Sequence, residues 1–231
     1  GRHDGARAAL DDDDGGGRMT PNQIYCVDCR TGLAALADES VDIIFTDPPY
    51  LADLYAEAYG VLAEQAPRVL RPGGWLITYA PQYYLPEIMQ ILGSSLQYWW
   101  TVAQLNQPNA NAVVYARYVM AMWKPILVYA KPPIERPPKA FCDVVSGKRQ
   151  KRYHAWEQSI HEALHLLCRF ARPGDLVVDP FAGSGTIPLA AKLLGLRYIG
   201  FEIDPDTHRV ATERMQQTPL DLFDYSEVAD A

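Results

Sequence analysis

The sequence predicts an α/β fold, a mostly parallel sheet with helices on both faces, and three observations predict it. Short apolar runs bounded by polar or turn residues alternate with segments of helical spacing. Acidic residues close several of those runs, at Asp28, Asp47, Asp179 and Glu202. A glycine-rich segment, Asp179 to Thr186, joins one such run to a helical segment. Strands that alternate with helices need both faces of the sheet covered, and ligands in such sheets sit at the carboxyl ends of the strands.

Taken in order, Gln23 to Val27 and Val41 to Thr46 read as short buried strands. Leu51 to Leu70 has helical spacing through Tyr55, Ala58, Leu62 and Ala66, with Pro67 expected to kink or end the helix. Arg71-Pro72-Gly73-Gly74 reads as a turn before a strand at Trp75 to Tyr79. Two further strands are expected around Leu96 to Val102 and Ile126 to Tyr129, while Asn106 to Ala112 and Pro132 to Pro138 are rich in loop formers. From Trp156 to Ala171, the residues Ile160, Ala163, Leu164, Leu167 and Phe170 describe one helix face, which Arg172-Pro173-Gly174 ends. Leu176 to Val178 is a strand, Ser184 to Leu194 a helix closed by Gly195, and Tyr198 to Glu202 another strand. Asp204 and Pro205 suit the N-cap and first turn of a last helix near Asp206 to Met215.

The 231 residues, 48% hydrophobic and 21% charged, fit one domain spanning residues 19–231. Gly1 to Arg18, with Asp11 to Asp14 and Gly15 to Gly17, has almost nothing to bury and reads as a disordered, non-native tail ahead of a start at Met19. There is no signal-peptide pattern and no run of about eighteen apolar residues, so a cytosolic location without a membrane span is expected. Of Cys26, Cys29, Cys142 and Cys168 only the first two form a CxxC pair. A structural zinc site wants a second pair, so reduced and mostly buried thiols are expected, and no metal. The net charge of −7 is awkward for a polyanionic partner. A local balance of +5 over residues 131–152, a short insertion that includes Lys139, Lys148, Arg149, Lys151 and Arg152, supplies either a phosphate-contacting loop or simply a solvated one.

In Asp179-Pro180-Phe181-Ala182-Gly183-Ser184-Gly185-Thr186 the glycines let a backbone approach a ligand, and the helix N-terminus favours a carboxylate. Glu202, at the end of the following strand, can accept from two ribose hydroxyls. The combination suits an adenosine-containing cofactor, against the plainer possibility of a tight packing turn. NAD is disfavoured because the third glycine of its fingerprint would fall at Pro188, and no Gly-Lys-Ser or Gly-Lys-Thr marks a P-loop. The second motif is Thr46-Asp47-Pro48-Pro49-Tyr50. Asp47 and the Pro48 carbonyl can accept the two protons of an amino group, Pro48 and Pro49 fix the backbone, and Tyr50 offers a face for a planar ring. The alternative is a simple proline turn.

TDPPY ahead of FAGSGT, with GFEID after it, resembles the amino-methyltransferases of DNA in their circularly permuted β-group arrangement, over roughly Gln23 to Met215. The resemblance implies a Rossmann-like methyltransferase fold with a seven-stranded sheet whose last strand is antiparallel. It implies S-adenosylmethionine held by the glycine loop, and DNA as the partner. DPPY would hold the amino group of a flipped base, with Asp rather than Ser at position 47 tilting the target from N4 of cytosine to N6 of adenine. Ile24 to Cys29 matches the strand whose acid meets the cofactor adenine, which makes Asp28 a site residue. His154 to Ser159 resembles the helix-opening motif near the cofactor methionine, in an HxWxQ form of phage-type adenine enzymes, with Gln158 where lysine is common. Trp123 to Leu127 resembles the family's late-strand segment.

His161-Glu162-Ala163-Leu164-His165 also fits the zinc-protease pattern HExxH, but that pattern recurs by chance and no third ligand is evident. Histidines solvated on the polar face of the helix are the plainer expectation. A protein-glutamine methyltransferase would usually carry Asn in place of Asp47, and an RNA methyltransferase or a non-catalytic nucleic-acid-binding partner of the same fold stays open. The basic segment is short for a recognition region, which leaves room for a homodimer or a specificity subunit.

Overall fold

The computed structural model describes residues 19–51, 54–105, 112–146 and 160–217. The expected tail, Gln158 and the cations Lys148, Arg149, Lys151 and Arg152 lie outside them. Ten strands and six helices follow in chain order among the described residues. The first half comprises β1 (Gln23–Cys26), α1 (Cys29–Ala34), β2 (Val41–Thr46), α2 (Tyr55–Val69), β3 (Leu70–Tyr79), α3 (Leu85–Gly93) and β4 (Gln97–Leu105). Then come β5 (Ala112–Val114), β6 (Val119–Ala121), β7 (Trp123–Ala130), β8 (Val144–Ser146), α4 (Ile160–Phe170), β9 (Leu176–Asp179), α5 (Thr186–Leu193), β10 (Arg197–Glu202) and α6 (Pro205–Gln217).

Eight strands form one sheet in the order β1-β10-β9-β2-β3-β7-β4-β8, and β5 and β6 form a separate hairpin. The antiparallel strand is β7, which lies between β3 and β4 rather than at an edge. The expected seven strands are thus present, with the three-residue β8 added outside β4.

Residue alternation along the strands builds two cores. Phe45, Ile77 and Val128 face Leu167, Phe170 and Ala190 on α4 and α5, while Ile44, Leu76 and Tyr129 face the side of α1 to α3 with Leu33, Tyr59 and Leu62. Every residue of β2 is buried, as expected of a strand covered on both faces. Each large apolar side chain buried in this way contributes about 1.5–3 kcal/mol.

Three local expectations change in the structure. Pro67 does not end α2 where it stands but sits in its last turn, and the carbonyl of Ala63, which lacks the amide donor that proline removes, accepts from Ser95 Oγ at 2.7 Å. Arg71 to Gly74 is not a turn ahead of β3 but an irregularity within it, since Val41 pairs with Leu70 and Ile43 with Trp75. The cysteines are unpaired as expected, but Cys26 and Cys142 are exposed rather than buried, because β1 is an edge strand and Cys142 lies in the approach to β8. Cys29 is half-buried and its thiol is pushed up to about 11, by burial first and by the neighbouring Asp28 second.

Candidate active site

β9 and β2 are parallel neighbours, yet the chain leaving β9 returns through α5 to β10 on one side and the chain leaving β2 returns through α2 to β3 on the other. The crevice outside the carboxyl ends of such a divergent pair is where open α/β sheets bind ligands. Both sequence motifs open into it. Thr46, the last residue of β2, donates from Oγ1 to Asp179 Oδ1 at 2.7 Å, so the Asp47 and Asp179 loops are tied to one another.

On the β9 side, Asp179 is buried and its second contact is the Phe181 amide at 3.1 Å. Burial raises its carboxyl to about 7, against the lowering effect of those two hydrogen bonds and with further upward pressure from Asp47 and Glu202. Gly183 and Gly185 both have positive φ, for different reasons. A Cβ on Gly185 would press on Ile24 and Ala211 at 3.2 and 3.4 Å, so this glycine is needed for packing as well as for the turn. A Cβ on Gly183 would meet nothing within 4 Å, so its backbone borders open space. Buried Arg214 braces the loop from α6, donating to the Ser184 carbonyl at 3.2 Å and to Thr186 Oγ1 at 3.0 Å.

Glu202 closes β10 in register with Cys26 of β1, which places it beside Asp28 at the sheet's carboxyl edge. Its Oε2 accepts from the Gly183 amide at 2.9 Å and its Oε1 from the Asp204 amide at 2.8 Å. Asp28 caps α1 by accepting from the Arg30 amide at 2.8 Å. The glycine loop, Glu202 and Asp28 thus stand together at the carboxyl ends of β9, β10 and β1, with open space beside Gly183.

On the β2 side, Asp47 is held by Lys124, which the sequence marks only by its place in the Trp123 to Leu127 segment. Lys124 Nζ lies 3.1 Å from both Asp47 oxygens, and the Tyr50 hydroxyl donates to Oδ1. The same ammonium lies 4.4 Å from the ring centroids of both Tyr50 and Tyr79. Stacking of a planar ring on that face of Tyr50 needs the lysine to move aside.

Glu162 of the HExxH pattern points into the protein, where it accepts from Tyr79 Oη at 3.3 Å and from Gln104 Nε2 at 3.0 Å. His161 is exposed as expected, but His165 is half-buried and its pKa is lowered, by burial first and by Arg169 and His161 after it. Helix α4 has no fully polar face for it, since Glu162, Leu166 and Arg169 are buried along with the expected apolar stripe.

The described part of the basic segment starts at the other edge of the sheet. Because β7 runs antiparallel, Lys131 emerges at the amino edge, where it bonds Glu39 at 3.0 Å and the Leu70 carbonyl at 2.8 Å. The Lys139 amide donates to the Arg169 carbonyl at the end of α4. Lys139 therefore stands away from the crevice. β8, parallel to β4, then climbs to the carboxyl edge, where Ser146 pairs with Leu105.

A family model described as DNA methylase matches residues 41–213. The type II methyltransferase M.HpaI of Haemophilus parainfluenzae is 25% identical over 232 residues, covering 84% of this chain and 74% of its own. M2.MboI of Moraxella bovis is 23% identical over 245 residues, covering 85% and 89%. Among solved structures, the M1.HpyAVI–SAM complex superposes with a TM-score of 0.69 at 22% identity, covering 84% of this chain and 98% of that one. The cytosine-N4-specific PvuII DNA methyltransferase superposes at 0.73 with 15% identity, covering 92% of each chain. The permuted order of the two motifs, their meeting at one crevice and a match running from β2 to α6 lead to one conclusion: this chain belongs to the DNA methylase family.

Proposed function

We propose that the protein transfers a methyl group from S-adenosylmethionine to the exocyclic amino group of a base in DNA, and that the base is adenine, methylated at N6. The observation that carries this reading is the Thr46 to Asp179 hydrogen bond, which holds the loop of amino-group acceptors against the glycine loop. The open backbone of Gly183, the Ser184 to Thr186 turn ahead of α5, Glu202 and Asp28 would hold the cofactor, whose chemical contribution is an electrophilic methyl group on sulfur.

The rest falls to the chain's own groups. An amino nitrogen conjugated to a base ring is a poor nucleophile, so Asp47 and the Pro48 carbonyl accept its two N–H bonds and turn its lone pair toward the methyl. Most of the rate comes from this positioning. The amino group loses one proton as the new N–C bond forms, and Asp47 is the acceptor in place to take it or pass it to water. Lys124 moves off the Tyr50 face as the base enters and keeps one of the two Asp47 oxygens it holds, which fixes the carboxylate plane and leaves the other oxygen for the amino group. Asp at position 47 favours adenine over cytosine, a preference that rests on the motif's likeness to its family.

Incubation with duplex DNA and labelled cofactor, followed by digestion to nucleosides, tests this directly, with N6-methyladenine expected. N4-methylcytosine would correct the base and leave the site standing. Cofactor binding without methyl incorporation into any DNA would favour a non-catalytic binding partner instead.

A further inference from the structure

The carboxyl edge carries a second feature that methyl transfer does not use. β5 and β6 form a hairpin in which Val113 pairs with Met120. It leaves the sheet where Leu105 at the end of β4 pairs with Trp123 at the start of β7, which is the edge that holds Asp47 and Asp179. At its tip, a turn over Tyr115 to Arg117 is followed by Tyr118. Tyr115 is 84% exposed and Tyr118 95%, with Met120 and Met122 also exposed beside them. Single exposed apolar residues are ordinary, but a contiguous group of them marks an interaction surface. Tyr118 has φ +53, a left-handed conformation that bulky side chains seldom adopt and that tends to persist where it serves a function.

Two contacts tie this tip to the catalytic loop. At the hairpin's foot, Lys124 binds Asp47. Further out, Arg117 lies 5.1 Å over the Tyr83 ring, Tyr83 meets Tyr84 edge-on at 4.9 Å, and Tyr84 stacks on Tyr55 at 4.1 Å. Tyr55 opens α2, just past the Asp47 to Tyr50 loop. The charge pattern indicates what the surface meets. In a chain of net charge −7, no Asp or Glu occurs from Ile88 through Ile134, a stretch that contains the whole hairpin. A surface of tyrosines on an acid-free segment, beside a site that needs a base drawn out of its stack, fits a polyanion with planar rings to stack upon.

We propose that the hairpin tip is a duplex wedge: Tyr115 and Tyr118 enter the DNA beside the target base and stack on the bases it leaves behind, keeping it in the crevice at Asp47. This rests on the methyltransferase reading above and adds to it the element that holds the base out. Aromatic side chains suit the task because every base offers a face to stack on, whatever the sequence.

The test replaces both residues, Tyr115→Ala with Tyr118→Ala, alongside Tyr118→Trp. The target duplex is chosen from positions that the unaltered protein methylates and carries 2-aminopurine at the target for the fluorescence arm. The unaltered protein should brighten 2-aminopurine on binding. The double variant should lose that signal and fall at least about tenfold in kcat/KM on the duplex, the size of one lost base-aromatic stack. Its rate should stay within about twofold on the same strand alone, where no duplex has to be opened, and its cofactor affinity should be unchanged. Tyr118→Trp should retain duplex activity. Equal losses on duplex and single strand, or no loss on the duplex, would overturn the wedge. So would a dimer that the double variant splits while handling DNA normally, since the surface would then belong to a second copy of the chain. If the unaltered protein methylates neither form of DNA, the methyltransferase reading itself has failed.

Discussion

Asp42 and Asp179 stand on the adjacent strands β2 and β9, one at each edge of the sheet, and both are almost wholly buried. Asp42, at the amino edge, accepts from Arg71 Nε at 2.6 Å and from the Leu176 amide at 2.8 Å. Asp179, at the carboxyl edge, accepts only from a hydroxyl and an amide, with no ion pair among the described residues. The pattern extends along the edges. Glu39 pairs with Lys131 and Glu135 with Arg172 at the amino edge, whereas Glu202 at the carboxyl edge holds backbone amides. Asp47 is an exception at the carboxyl edge, since its cation Lys124 stands in the crevice with it; Asp179 and Glu202 are held by amides and a hydroxyl and are kept for something that arrives there.

The most severe way to break this contrast is to remove one acid from each edge. Asp47→Ala should lower methyl transfer by about 100-fold or more, the usual worth of a positioned proton acceptor, while cofactor affinity and thermal stability change little. Loss of cofactor binding together with activity would place Asp47 in the fold's support instead. Asp42→Ala should do the reverse. It strands Arg71 and the Leu176 amide, so chemical denaturation should report a loss of about 3 kcal/mol, and any folded fraction should methylate normally.

How far the sequence foretold these sites depends on how local the chemistry is. The Asp179 to Thr186 loop and the Asp47 to Tyr50 loop are legible because their donors, acceptors and turn formers are consecutive residues at the ends of apolar runs. Lys124 was visible only as part of a strand-like segment. Its role depends on β7 running antiparallel beside β3, which brings it to an aspartate 77 residues away. Strand direction also decides where the described cations of the basic segment stand: β7 runs antiparallel and so delivers Lys131 to the amino edge, away from the crevice. Helix α1 has one signal in the sequence, Asp28 at its N-cap, but its six residues are too few to show a periodic apolar face.

Smaller effects separate the two ends of the crevice. On the proposed function, Glu202→Ala should weaken cofactor binding about tenfold or more in calorimetry, because it would remove the proposed acceptor for ribose hydroxyls and release the Gly183 amide that Glu202 holds. Its effect on turnover at saturating cofactor should be the lesser one. Lys124→Met should show the opposite split, a fall in kcat of about tenfold with cofactor affinity retained, since Asp47 loses the charge that orients it. Lys124→Arg should recover part of that loss. If Lys124→Met costs stability and leaves kcat alone, the ammonium belongs to the packing of Tyr50 and Tyr79 rather than to catalysis.

The mildest test concerns Asp179 alone and is read in the pH dependence of stability. Its carboxyl is raised from 3.8 to about 7 in the folded protein, chiefly by burial. Below the unfolded value both states are protonated, and the neutral acid is accommodated without penalty. As pH rises from about 4 to about 7, the unfolded chain gives up its proton while the folded one keeps it, so the group's contribution to stability is lost across that window and stays level above it. Asp179→Asn removes this titration while keeping an acceptor for Thr46 and the Phe181 amide. The difference in Tm between Asn and Asp forms should therefore widen in favour of Asn between pH 4 and 7 and then hold constant. A difference that stays flat across the window would mean that Asp179 keeps its charge as easily as an exposed acid does, and the division between the two edges would lose its clearest member. If the slope appears, the acid is retained at a cost to stability that an amide would avoid, as expected of a residue at the meeting point of both site loops.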